Sequence, residues 1–436
     1  MRNTSGRANS ALVLLCVVQG LERLAFAATL PLFVLYLHHR HGFGEPTALL
    51  FVGVFHGLSY VCGLPGGMFA DRVLGSTKSL VAGAALLACG YGALAVDWAA
   101  LLWPACLVMI LGHGLLRPAM ATMLGILTPD DDSRRERAFL WQYLVVNLAF
   151  VIGPLIADRS VRLHHWRGLF LWSSLATTMA ALVGVMSLRF LPAHGASQRL
   201  RVTTETPSVK HDEPQRWHAV WLVCSLAVVF WLTALQSGGA LALFAEHNTV
   251  RSIALGGLSI ATGPAQFASL HGLLVLVLLP LLMVGMAWLR RREREPRAPV
   301  KMVWGYVCTA AAFVLLAAAG LNWGDTSRVS AGWLVGGYVL LSASELLLAP
   351  FGLSLVTKLA PPNRQGQAVG LWFAAAALGN AAAGGLGLWW GRMPHHRYFA
   401  LLALLSLVAA VALFSRVSPL QRLLRAVDAK PKGGRS

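Results

Sequence analysis

The sequence predicts an all-α membrane protein of 12 transmembrane helices in two six-helix halves, with both termini cytoplasmic. Three observations lead there. Of 436 residues, 56% are hydrophobic and 12% charged, with a mean hydropathy of +0.62, far outside the range of a soluble domain. Twelve apolar runs follow one another, roughly 11–37, 47–70, 79–96, 99–128, 138–158, 168–192, 217–245, 265–289, 301–320, 329–359, 366–391 and 398–415; a helix needs about 20 residues to cross a bilayer. Third, the N-terminus, the even-to-odd connections and the C-terminal tail hold 26 of the 36 Lys and Arg, the other connections hold 8, and Arg23 and Arg117 fall inside spans. That bias puts both ends in the cytoplasm, so the chain is expected as a multi-pass protein of the plasma (inner) membrane.

The first run, preceded by Arg2 and Arg7, is too long for a signal peptide and is expected to stay as a span. Glu22 and Arg23 stand side by side within it. A charge at that depth costs roughly 2.5–3.5 kcal/mol, so such residues face a wet cavity or each other; the pair reads as a site or as an internal ion pair. The second run ends in Gly66-Gly67-Met68-Phe69-Ala70-Asp71-Arg72-Val73-Leu74-Gly75, a tight connection whose glycines allow close helix contact. In the fourth run Arg117 precedes Pro118. It can neutralise Glu22, snorkel toward an edge, or offer a substrate carboxylate its two-pronged fork.

The longest hydrophilic segment between spans, 193–216, splits the chain into a first bundle (1–192) and a second (217–415), followed by a basic tail (416–436). Repeated halves with a site near the midplane between them are the build of a transporter. In the tenth run Glu345 is a lone carboxylate flanked by serine, just ahead of Ala349-Pro350, where a missing helix hydrogen bond favours a kink. Mid-span acids mark substrate or proton paths. The eighth run carries His271, whose imidazole is the side chain suited to sensing protons near neutrality.

Other features exclude more than they assign. A net charge of +18 suggests nucleic acid, but the basic residues sit in short loops where they anchor topology and meet anionic lipid, so no nucleic-acid partner is expected. Six cysteines (Cys16, Cys62, Cys89, Cys106, Cys224, Cys308) lie in apolar runs without paired spacing and read as small hydrophobes. His38, His39 and His41 lack cysteine or acid partners at ligand spacing, so no metal is expected. No nucleophile elbow, zinc-helix motif or phosphate loop stands out, so neither catalysis nor a cofactor is expected.

The 66–75 connection resembles the loop signature of the major facilitator superfamily. With Gln19-Gly20-Leu21-Glu22-Arg23, the chain is similar to one branch, the proton-dependent oligopeptide transporters (POT/PTR family), whose members carry Glu-x-x-Glu-Arg-Phe. Further matches are Tyr60, eleven residues before Asp71; Gly112-His113-Gly114-Leu115-Leu116-Arg117-Pro118, with Arg117 for the family's lysine; and Tyr143-Leu144-Val145-Val146-Asn147. In the second half Phe230-Trp231 with Gln236-Ser237-Gly238, Leu243-Phe244-Ala245 with Asn248-Thr249, Ser342-Ala343-Ser344-Glu345-Leu346 to Pro361, Gly370-Leu371-Trp372-Phe373 and Leu378-Gly379-Asn380 follow the family closely. The resemblance covers nearly the whole chain.

It implies a major facilitator fold that moves di- or tripeptides, or similar zwitterions, by alternating access with protons as co-substrate. The substrate-binding residues it implies are Arg23, Tyr60, Arg117, Asn147, Gln236, His271, Glu345 and Trp372. Arg23 and Arg117 would take the carboxyl end and Glu345 the amino end. The proton-coupling candidates are Glu22, His271 and Glu345. Departures are informative. Gln19 replaces a glutamate, and Leu30 and Leu235 replace both members of the family's outer-gate ion pair. Removing one buried partner costs about 3–5 kcal/mol, whereas replacing both with apolar groups is often neutral. Phe26 and Ala27 replace a tyrosine pair, which is expected to open volume, and His271-Gly272 stands where the family has Asn-Pro. Two rival readings remain at this level: a transporter of a non-peptide metabolite with altered or lost proton coupling, and a non-transporting membrane sensor with the same fold.

Overall fold

The computed structural model describes residues 2–127, 132–187, 213–250, 252–255, 258–261, 263–361 and 364–428. The helices, in order, are α1 (Arg2–His41), α2 (Glu45–Val61), α3 (Gly63–Phe69), α4 (Ser76–Ala95), α5 (Leu102–Leu127), α6 (Asp132–Ser187), α7 (Glu213–Ala234), α8 (Ala240–His247), α9 (Pro264–Arg291), α10 (Ala298–Trp323), α11 (Ala331–Leu359), α12 (Gln365–Gly387), α13 (His395–Ser415) and α14 (Val417–Asp428). Residues 193–212 of the expected linker and 429–436 of the tail lie outside the described residues.

Eleven helical stretches among the described residues are long and apolar enough to cross a membrane, against twelve apolar runs. The difference lies in α6, where the fifth and sixth runs share one stretch, Trp141–Ser187, of 47 residues. Its backbone breaks at His164 and His165, where φ of His165 is +53°. At about 1.5 Å per residue the stretch is about 70 Å long, more than twice a hydrocarbon core of about 30 Å.

Two other runs are interrupted. The second divides at Cys62 into α2 and α3. The seventh divides into α7 and α8 around a 3-10 turn, Leu235–Gly238, and the non-helical Gly239. Between α8 and α9 lies an antiparallel hairpin, β1 (Ser252–Leu255) with β2 (Leu258–Ala261). It departs locally from the all-helical expectation, and the sequence carries its signal: Ser-Ile-Ala-Leu and Leu-Ser-Ile-Ala flank the pair Gly256-Gly257.

The two halves meet closely along a small-residue seam between α2 and α12. A Cβ on Gly53 would stand 2.6 Å from the Asn380 carbonyl oxygen, and one on Gly384 would stand 2.8 Å from that of Leu50. Real side chains do not fit there, so glycine sets the approach distance. One apolar core at this end takes Leu32 to Leu37 of α1, Leu49 and Val52 of α2, all of Ala240–Ala245 and Ala383. A second core, made of α7, α10, α11, α12, α13 and α14 residues, belongs to the second half alone. The seam is reinforced by polar contacts. Trp390 Nε1 donates to Glu45 at 2.7 Å, and His247 Nδ1 stands 3.1 Å from the same carboxylate. The halves are thus sealed together at the end bearing Glu45, His247 and Trp390.

Candidate functional site

Within the first half, α1, α2 and α5 bring the expected residues into one buried cluster. Glu22 is 1% exposed, accepts from Arg23 Nε at 2.6 Å, and lies 3.5 Å from His113 Nδ1. Arg117 does not pair with Glu22. None of its three guanidinium nitrogens has an acceptor; its Cζ lies instead 4.7 Å from the Tyr60 ring centre and 5.5 Å from that of Phe26. The opposite cation of the cluster, Arg23, approaches Phe26 at 5.0 Å. Phe26 therefore stands between two guanidinium groups, where the negative ring face screens their repulsion.

This arrangement follows from local packing. Gly114 and Gly66 let α5 and α3 touch backbone to backbone, Gly114 approaching the Cys62 carbonyl at 2.7 Å for an added Cβ. That contact sets Arg117, three residues on, against the Tyr60 face of α2. The expected opening at Ala27 is not found: Ala27 is fully buried, and Gly153 of α6 packs against it. Gln19 is also engaged, since Gln142 of α6 donates its amide to it. Both replacements are absorbed by close α1–α6 packing.

In the second half, His271 of α9 and Glu345 of α11 form a pair, Nε2 to Oε2 at 2.9 Å, while Ser342 Oγ meets His271 Nδ1 at 2.8 Å. Glu345 keeps 38% of its side chain exposed. Thr233, Ser237, Tyr338 and Ser344 line a small pocket with them, of about 30 Å³. That is room for an ammonium group or about two waters. Asn147 is buried and donates to the Tyr143 carbonyl at 2.9 Å, and Tyr143 lies within electrostatic range of Glu345.

An aromatic bridge joins the halves between these clusters. Tyr60 lies 5.7 Å from Trp231 and 6.4 Å from Phe373, the latter nearly parallel. Two expected residues are not brought to either cluster. Gln236 is buried at the sealed end, donating to the Leu232 carbonyl and accepting from Tyr398 at 3.1 Å. Trp372 is 3% exposed and packs over Gly352 within the second-half core. Conversely, His56 and His113, both fully buried beside Phe26 at 5.5 and 5.8 Å, join the first cluster without having been singled out. His113 was legible as the residue four before Arg117; His56 carries no sequence signal beyond a polar residue in an apolar run. The Leu30/Leu235 replacement also has a location. Leu30 packs onto Gly238 in the turn that begins with Leu235, so apolar contact holds where the family uses charge.

Comparison with known proteins agrees with this architecture. A family model described as the POT family matches residues 195–387. The chain is 26% identical over 480 residues to the peptide transporter YePEPT of Yersinia enterocolitica, covering 92% of this chain and 93% of that one. It is 25% identical over 468 residues to the di-/tripeptide transporter of Lactococcus lactis subsp. cremoris, covering 92% and 94%. Among solved structures, a POT family transporter in complex with a thioalcohol-conjugated peptide aligns with a TM-score of 0.85 at 22% identity, over 94% of this chain and 96% of that one. A POT family transporter in complex with 5-aminolevulinic acid aligns at 0.84, with the same identity and coverage. With the two charge clusters, the glycine-sealed halves and these matches together, the chain is similar to the POT family of transporters over most of its length.

Proposed function

We propose that this protein is a secondary transporter that moves di- and tripeptides, or zwitterions of that size, across the plasma membrane by alternating access, with protons as co-substrate. The observation that carries the reading is the chemistry of the two clusters. The first half presents Arg117, a buried cation with no carboxylate of its own, and the second presents Glu345, a partly exposed acid beside a pocket of ammonium size. A dipeptide zwitterion separates its charges by about two extended residues, on the order of 6–7 Å, and offers each cluster the charge it lacks. Tyr60, Trp231 and Phe373 supply apolar walls for side chains. Peptide and peptide-like ligands of the relatives support the same class.

The topology that accompanies this reading has twelve crossings and cytoplasmic termini. It counts Trp141–Ser187 as two crossings, because that stretch is too long for one and breaks at His164–His165. Residues 1–192 and 217–415 then form the two rocking bundles, 193–216 tethers them, and 416–436 is a basic tail. Arg23, Tyr60, Arg117 and Asn147 would contact substrate from the first bundle and His271 and Glu345 from the second. Gln236 and Trp372 would act through packing.

The test is uptake of a radiolabelled dipeptide into proteoliposomes under an inward proton gradient, compared with its C-terminal amide and its N-acetyl form. Uptake of the free peptide alone is the expected result. Glu345→Gln keeps shape and removes charge, so it is expected to weaken free-amine peptides far more than N-acetyl ones. Equal loss for both classes would make Glu345 structural, and no accumulation of any peptide would end the peptide reading.

A further inference from the structure

The last described helix, α14, packs against α10, α11 and α13 and leaves between itself and the start of α7 a groove of about 740 Å³. Its floor is apolar, made by Ala219 and Leu222 of α7 and Pro419, Leu423 and Ala426 from the α14 side. Its rim is basic: Arg416, Arg422 and His218. Leu420 and Leu424 are buried in the second-half core, and Arg297 donates to the Gln421 carbonyl at 3.3 Å, so α14 is fixed in place. No acceptor is seen for either rim guanidinium among the described residues. Trp221, 56% exposed, sits beside Leu222 about two turns into the stretch Glu213–His247, near the level at which tryptophan marks the bilayer interface.

An acid is required to complement this rim, and three net basic stretches of the chain are unsuited to supply one. Residues 1–9 carry Arg2 and Arg7 without an acid. Residues 188–212 carry Arg189, Arg199, Arg201 and Lys210 against Glu205 and Asp212, and residues 429–436 carry Lys430, Lys432 and Arg435 without an acid. Each is net basic and would be repelled. The nearest acid on α7, Glu213, faces Arg364 at 3.5 Å. A free anion would leave the apolar floor unused. We infer that this groove binds an anionic phospholipid of the adjoining leaflet, with the headgroup phosphate between Arg416, Arg422 and His218 and acyl chain on the α7–α14 floor. Basic pockets at the ends of membrane helices recognise lipid headgroups by this combination of charge and apolar surface.

The test uses the full chain purified in neutral detergent and measures its melting temperature during titration with phosphatidylglycerol, phosphatidylcholine or inorganic phosphate. Phosphatidylglycerol is expected to raise it by a constant increment per tenfold concentration above its Kd. Two basic contacts give a preference of about 30-fold over phosphatidylcholine. In the Arg416→Gln/Arg422→Gln variant the two lipids are expected to bind alike, while stabilisation by a dipeptide is retained. Native mass spectrometry of the same samples counts retained phosphatidylglycerol, so the result stands even if the variant's baseline melting temperature falls. Several outcomes would overturn the inference: an equal response to phosphatidylcholine makes the groove a non-specific apolar slot, and a response to phosphate makes it an anion site. A phosphatidylglycerol preference unchanged in the variant moves recognition elsewhere. A wild-type dimer that parts in the variant gives the groove to a second copy of the chain.

Discussion

The first cluster holds two guanidinium groups and one carboxylate, whose Oε2 is taken by Arg23 while Oε1 has no hydrogen-bond partner. Glu22 serves Arg23 and stands near His113, so Arg117 carries a charge that only ring faces attend. Burying a charge without a partner is costly, and on the proposed function a substrate carboxylate would supply the missing partner. Two effects of Arg117→Met follow. Without substrate the variant is expected to melt no lower than wild type, since a balanced Glu22–Arg23 pair remains. Binding of a free-carboxylate peptide is expected to weaken by the worth of a charged hydrogen bond, about 1.5–3 kcal/mol or roughly 10- to 150-fold in Kd. Arg117→Lys is expected to fall between, because charge persists and the fork is lost. Titration calorimetry with a dipeptide and its amide checks this; equal affinity of wild type for the two would remove Arg117 from the carboxyl end. At this scale the sequence was legible where a charge broke an apolar run, at Glu22, Arg23, Arg117 and Glu345. Neutral or amide side chains give no such contrast. The resemblance alone points to Gln236 and Trp372; Gln236 is hydrogen-bonded to Tyr398 at the sealed end, and Trp372 lies in the second-half core.

At the scale of elements, spans were readable from length and hydropathy, whereas their breaks were not. Cys62, Gly239 and His165 interrupt helices within apolar or short polar stretches, for reasons that lie in what packs against them. The α2–α12 seam shows how packing decides. Gly53→Val would drive a branched side chain into the α12 backbone at Asn380 and Gly384, so the sealed end is expected to open. Spin labels across that end should report a longer distance in the variant than in wild type; an unchanged distance would show that the seam does not hold the state. Polar contacts at helix ends act more weakly and depend on pH. In the α9–α10 connection Glu295 accepts from Arg290 at 2.7 Å and Lys301 at 2.6 Å, which holds its carboxyl down at about 2. A carboxylate depressed when folded contributes stability above its unfolded pKa, near 4.3, and loses it as pH falls toward 2. Glu295→Gln is therefore expected to lower the melting temperature at pH 6 and to flatten its decline between about pH 4.5 and 2. Parallel curves for the two proteins would show that the contact does not contribute.

For the whole molecule, the proposed alternating access would make the sealed end one of its two states, with Glu45, His247 and Trp390 bonded across the closed side. Gln19 and Leu235 cannot carry a proton, so the proposed proton coupling would fall to Glu22, Glu345 or His271. The Ser342–His271–Glu345 chain favours the last two acting together. Protonated, His271 neutralises Glu345 and competes with a substrate ammonium; neutral, it leaves the carboxylate its full charge. Around them stand Tyr338, 5.8 Å from the His271 ring, and Tyr143 within range of Glu345, neither of which changes charge near neutrality. Peptide affinity is therefore expected to fall as pH drops and His271 takes up a proton. His271→Asn removes the competitor and is expected to flatten that dependence, and an N-acetyl peptide, lacking the ammonium, is expected to show little of it even in wild type. Binding measured from pH 5.5 to 7.5 with both peptides decides the matter. Identical pH profiles in wild type and His271→Asn would assign the histidine to packing. A proton gradient that drives accumulation equally in both would return the coupling to Glu22 or to Glu345 alone.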